Sequence, residues 1–152
     1  MKTLIAYFSV EVGKTAGFAR LLAEELQGDL FEIRPETPYT KADIDWRVPS
    51  SRCNEENRTG CDVPLAALPE GFAAYERVLI GFPVWYGCAP NIINTFCKSL
   101  NFAGKEVYLF ATSGGGGLGK SEEKLVPYLS GAAVKGIRLL RKPEDSKGWI
   151  KP

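Results

Sequence analysis

The chain has 152 residues, is 45% hydrophobic and carries a net charge of +1, enough to enclose the core of one domain over residues 1–152 but not of two. Lys and Arg are scattered among Asp and Glu, leaving neither a positive stripe for nucleic acid nor a polybasic membrane patch. No apolar run approaches membrane-span length, and the absence of histidine removes His-based triads and the commonest general base at neutral pH.

Thr3 to Phe8 is a continuous apolar run, as expected of a strand covered on both faces, and it is too short for a signal peptide. From Gly13 onward Phe18, Leu21, Leu22 and Leu26 recur at helical spacing, with Ala16, Ala19 and Ala23 filling the stripe and Gly28 as the expected stop. Leu30 to Arg34 alternates and reads as a second strand with one more exposed face. Between Pro35 and Tyr75, prolines at 35, 38, 49, 64 and 69 interrupt any sustained period. Short helical turns are expected near Lys41–Trp46 and Leu65–Leu68, in a connection whose length implies a functional or surface-wrapping role.

Val78, Leu79, Ile80 and Phe82 form a third, fully covered strand that breaks at Pro83. Pro90 suits the first turn of a helix running through Asn91 to Leu100. Val107 to Ala111 is a fourth strand, Ser121 opens a helix ending near Leu129, and Ile137 to Leu140 is the fifth strand. Glu144 to Ile150 is expected to close the chain as a short helix. Strands alternating with helices call for a three-layer α/β sandwich with a five-stranded parallel sheet in the order 2-1-3-4-5, whose switch point lies between strands one and three.

Three loops therefore converge there. The first, Ser9-Val10-Glu11-Val12-Gly13-Lys14-Thr15, leads into a helix N-terminus, whose amides and hydroxyls make an anion site suited to phosphate; the plain alternative is that Ser9 or Thr15 only caps the helix. It is not a Walker A loop, because the glycine needed five positions before Gly13 is Phe8. In the second, Trp85 and Tyr86 can sandwich a flat ring, against the alternative that one of them plugs the core. In the third, five of the six residues from Gly114 to Gly119 are glycine, so backbone amides can lie against a ligand with no side chain between; the plain alternative is a flexible turn, whose mobility directly after a buried strand would cost entropy with no return. The cysteines at 53, 61, 88 and 97 include no C-x-x-C pair and have no histidine to complete a zinc site, so no metal centre is expected and reduced thiols in a cytoplasmic protein are.

Pro83-Val84-Trp85-Tyr86-Gly87-Cys88-Ala89-Pro90 and Thr112-Ser113-Gly114-Gly115-Gly116-Gly117-Leu118-Gly119 resemble the flavodoxin family. They are similar in particular to small members whose flavin loops read close to Pro-x-Trp-Trp-Gly-x-Ala-Pro and Thr-Ser-Gly-Gly-Ser-Gly-Leu-Gly. The likeness extends to Leu4–Ser9, Asp29–Ile33 and Pro38–Thr40. It implies non-covalent FMN. The phosphate falls to Ser9, Val10, Val12, Gly13, Lys14, Thr15 and Ala16, and the isoalloxazine ring to Pro83, Val84, Trp85, Tyr86, Gly87, Thr112, Ser113, Gly114, Gly115, Gly116 and Gly119. No catalytic acid or base is then needed, since the flavin carries the electrons and the protein tunes them.

The implied function is electron transfer, with a redox protein or a small-molecule electron acceptor as partner. Against the family's usual Ser-x-Thr-Gly-x-Thr, the first loop is one residue longer and carries Glu11. A carboxylate about 5 Å from a phosphate charge opposes it by roughly 3 kcal/mol at an effective dielectric of about 20. Two alternatives therefore stand beside the electron carrier: a flavodoxin-fold binding or interaction module with weak or lost FMN binding, and a small NAD(P)H-dependent FMN quinone reductase.

Overall fold

The computed structural model describes residues 1–10 and 13–152; Glu11 and Val12, both named in the first loop, lie outside the described residues. Five strands, β1 (Thr3–Tyr7), β2 (Asp29–Glu32), β3 (Arg77–Pro83), β4 (Glu106–Thr112) and β5 (Ala133–Leu139), form one parallel sheet in the order β2-β1-β3-β4-β5. Four α-helices connect them: α1 (Lys14–Leu26), α2 (Arg52–Thr59), α3 (Asn91–Lys98) and α4 (Ser121–Leu125).

Period-two alternation along β1, β3 and β4 divides the core into two layers. Leu4, Ala6, Phe8, Val78, Ile80, Phe82, Val107 and Leu109 face α3 and α4, with Ile92, Ile93, Phe96 and Leu125. Ile5, Tyr7, Leu79 and Phe110 face the other way, against Phe18, Leu22 and Leu26 of α1. Both faces are filled, which is why these strands read as unbroken apolar runs. Gly81 stands opposite Phe110 in register, and a Cβ there would lie 2.1 Å from the Phe110 ring. The aromatic ring takes the space that a side chain would need.

Four local expectations need correction. Helix α1 stops on Gln27, which takes the left-handed conformation (φ 53°); Gly28 follows it, and its role is close approach, since a Cβ would meet Ile5 Cδ1 at 2.4 Å. Strand β5 starts at Ala133 rather than Ile137, because a bulge skips Lys135, pairing Val134 with Val107 and Gly136 (φ 128°) with Tyr108, and hides the alternation. The closing segment holds only a 3₁₀ turn, Pro143–Asp145, on which Asp145 accepts the amides of Arg141 and Lys142.

Between β2 and β3 the helix is α2, at 52–59, while 41–46 forms turns and 65–68 holds a single bridge from Leu65 to Pro35. Cys53 is the one buried residue of α2, so the helix has no apolar stripe to reveal it. Polar contacts hold it instead. Arg52 donates to Thr37 O at 2.7 Å and to Glu56 Oε2 at 2.9 Å, and Asn91 Nδ2 donates to Glu56 O at 2.7 Å and Cys61 O at 3.0 Å.

Candidate functional site

Parallel strands bring the ends of β1, β3 and β4 side by side, and the three unusual loops leave from that edge. Gly13 turns the first loop into α1 in the left-handed conformation (φ 70°), its amide bonded to Val10 O at 2.8 Å. Ser9 Oγ accepts the Ala16 amide at 3.3 Å, so the serine does cap the helix. The amides of Lys14 and Thr15 sit in the first turn, where a helix offers no acceptor of its own. They remain suited to an anion, with the exposed Lys14 side chain beside them. The Thr15 and Thr112 hydroxyls lie 2.8 Å apart in a buried hydrogen bond that fastens the first loop to the end of β4.

The second loop is a tight hairpin. Trp85 and Cys88 exchange both backbone hydrogen bonds, at 2.8 and 3.0 Å, across Tyr86 (φ 56°) and Gly87 (φ 72°), the signature of a type I′ turn. Glycine suits that geometry; tyrosine adopts it at a cost of about 1–2 kcal/mol. Tyr86 spends that strain on holding its ring outward, 44% exposed, with its hydroxyl bonded to Asn54 Oδ1. Burial and the neighbouring Cys53 thiol raise the Tyr86 pKa, so the phenol stays protonated. The third loop closes on this turn. Lys120 donates its amide to Gly87 O at 2.7 Å, and a Cβ on Gly119 would lie 2.3 Å from that same oxygen.

Trp85 is fixed from behind. Phe8 and Tyr39 both meet it edge-on, with ring centroids 5.6 and 5.7 Å away and interplanar angles of 84°. Tyr39 is itself clamped, its ring under the Arg52 guanidinium at 3.9 Å and its hydroxyl on Glu56. Burial, then that carboxylate, keeps the Tyr39 hydroxyl protonated far into the alkaline range. The outcome is an indole of fixed orientation at the mouth of the sheet.

An open cleft of about 380 Å³ runs between the loops, lined by Ser9, Val10, Gly13, Lys14 and Thr15 at one end, Pro83, Val84 and Trp85 at the other, and Thr112, Ser113 and Gly114 along the side. Eleven of the residues named from sequence thus meet in one place. Ala16, Tyr86, Gly87, Gly115, Gly116 and Gly119 stand behind or beside that lining. Trp46 from the long connection joins the wall with its side chain 71% exposed. Trp46 was legible in the sequence, since the Asp43–Trp46 and Ser50–Arg52 patches of the long connection read as a cover for the flavin edge; sequence reasoning did not place Phe8, Tyr39 or Asn54 in the site.

The glycine loop supplies a separate test of fit. None of Gly114, Gly115, Gly116 and Gly117 has a positive φ, and a Cβ on Gly114, Gly115 or Gly117 would meet no protein atom within 4 Å. Neither backbone strain nor the chain's own contacts require glycine there. The open space leaves their amides bare, so a flat ring can lie directly against them.

A family model described as flavodoxin matches residues 2–151. The chain belongs to the flavodoxin family. Among solved structures, it is similar to a protein designated a flavoprotein from Bacteroides uniformis, at 41% identity over 97% of this chain and 96% of that one, with a TM-score of 0.90. A counterpart from Bacteroides eggerthii is 38% identical over 97% and 94%, also at 0.90. A flavoprotein from Lactobacillus acidophilus, solved in complex with FMN, is 25% identical over 91% and 92% of the two chains, with a TM-score of 0.73. No curated protein matches the sequence. No helix among the described residues is long and apolar enough to cross a membrane.

Proposed function

We propose that this flavodoxin binds FMN non-covalently in the three-loop cleft and works in electron transfer, passing electrons to a redox protein or a small-molecule acceptor. The observation that carries the reading is the cleft itself: helix-terminal amides and Lys14 at one end, an indole held edge-on at the other, and unneeded glycines between. When bound, FMN supplies the electron-accepting ring. The chain's residues do the rest. Lys14, Thr15 and the α1 amides neutralise the phosphate, Trp85 presents a face for stacking, and Thr112 to Gly114 offer polar backbone to the ring edge. Four free cysteines support a reducing, cytoplasmic setting. The near-neutral charge gives little long-range steering, which favours a small acceptor over a strongly charged protein partner.

Titration of the purified apo-protein with FMN, followed by quenching of flavin fluorescence and by the visible spectrum, tests the assignment. Saturable one-to-one uptake at or below about micromolar concentration is expected, equivalent to about 8 kcal/mol or more of binding. A protein that takes up no FMN there is an interaction module instead.

A further inference from the structure

Beside the cleft lies a second hollow of about 270 Å³, lined by Ile44, Trp46, Cys53, Val84, Trp85 and Tyr86. It shares Trp46, Val84 and Trp85 with the cleft, so the two lie against a common wall. Among the described residues, no charged side chain lines it. Two large aromatic groups, Trp46 and Tyr86, border it while 71% and 44% exposed, so the hollow presents aromatic surface to solvent.

The hollow is also built. Asn54 links the two segments: its Oδ1 accepts the Tyr86 hydroxyl, while its Nδ2 donates to the backbone carbonyls of Trp46 at 2.9 Å and Val48 at 2.7 Å. Tyr86 is held in a strained left-handed backbone to stand there. One small polar residue thus ties the Tyr86 ring to the backbone that carries Trp46.

We propose that this hollow is the acceptor subsite of the FMN cleft, taking a flat, uncharged aromatic molecule of one or two fused rings. The inference rests on the FMN assignment for its purpose but not for its test. Aromatic walls select flatness, the uncharged lining disfavours ionic ligands, and the shared Trp85 and Val84 wall brings the bound ring beside the cleft.

The probe is 2,3-dimethyl-1,4-naphthoquinone, whose substituted ring carbons leave no open position for thiol addition. The chain has three tryptophans, and Trp149 packs against Tyr108 in the layer that carries α1, so its indole signal serves as an internal control. In nitrogen-15 correlation spectra of both apo- and FMN-loaded protein, the naphthoquinone should shift the Trp46 and Trp85 indole signals saturably and leave Trp149 in place. Ile44→Asp should weaken the naphthoquinone by about tenfold or more and change FMN affinity by less than about twofold. Should Ile44→Asp disturb the fold, Tyr86→Leu should still weaken the naphthoquinone by about fivefold. The proposal is overturned if FMN displaces the naphthoquinone, if the Trp46 signal does not move, or if the folded variants bind it unchanged. Failure of the FMN assignment would show separately, as absent FMN uptake alongside an intact naphthoquinone titration.

Discussion

Trp85 shows how a single side chain becomes useful only when others constrain it. A free indole stacks in many poses; one pinned edge-on by Phe8 and Tyr39 offers one face in one direction, so little ordering remains to be done on binding. Trp85→Ala should therefore weaken FMN by about tenfold or more, about 1.4 kcal/mol, read from fluorescence titration. Gly119 poses the opposite case, a position where any side chain is too large. Gly119→Ala combines a positive φ of 57° with a Cβ 2.3 Å from Gly87 O, so it should cost about 2 kcal/mol in urea denaturation and loosen the contact between the second and third loops. A wild-type midpoint would show that the loops yield without strain.

Helix α2 illustrates an element made by polar contacts in the absence of an apolar face. Arg52 gathers Thr37 O, Glu56, Asp43 and the Tyr39 ring, and through Tyr39 it reaches Trp85. Arg52→Ala should cost about 1–2 kcal/mol and increase protease cleavage within residues 37–60, while the sheet keeps its far-ultraviolet signal. Because the same residue supports the indole from behind, FMN affinity should fall as well. A variant with unchanged affinity would show that Phe8 and Tyr39 hold Trp85 without Arg52.

Across the whole molecule, buried ionisable groups set the alkaline limit of the fold. Burial pushes the Cys97 thiol from 9.0 to about 12, and a hydrogen bond to Asp29, then burial, raises Tyr75 from 10.0 to about 12. Both folded values exceed the unfolded ones, so the folded state keeps protons that the unfolded chain releases. Their contribution is complete below pH 9 and is lost as pH rises toward about 12. Denaturation midpoints should fall steeply as pH rises above 9, and Cys97→Ala should remove about one proton's worth of that slope. A thiol reagent should label Cys61 and Cys88 in the native protein, but Cys53 and Cys97 only as it unfolds.

The sequence by itself determined the sheet and its three loops. Strands buried on both faces are written as continuous apolar runs, and a proline break, a paired aromatic and a glycine tract can be read wherever they stand. Parallel strand order then brings those loops to one edge. The Asp43–Trp46 patch could be read as a cover for that edge, but tertiary structure alone decided how the second wall is held. Trp46 and Asn54 lie eight positions apart in a segment without apolar period, held by hydrogen bonds to backbone carbonyls, and such bonds leave no hydrophobic pattern in the chain. Likewise, which face Trp85 turns to the cleft follows from Phe8 and Tyr39, residues far from it in sequence that meet it only once the sheet has formed.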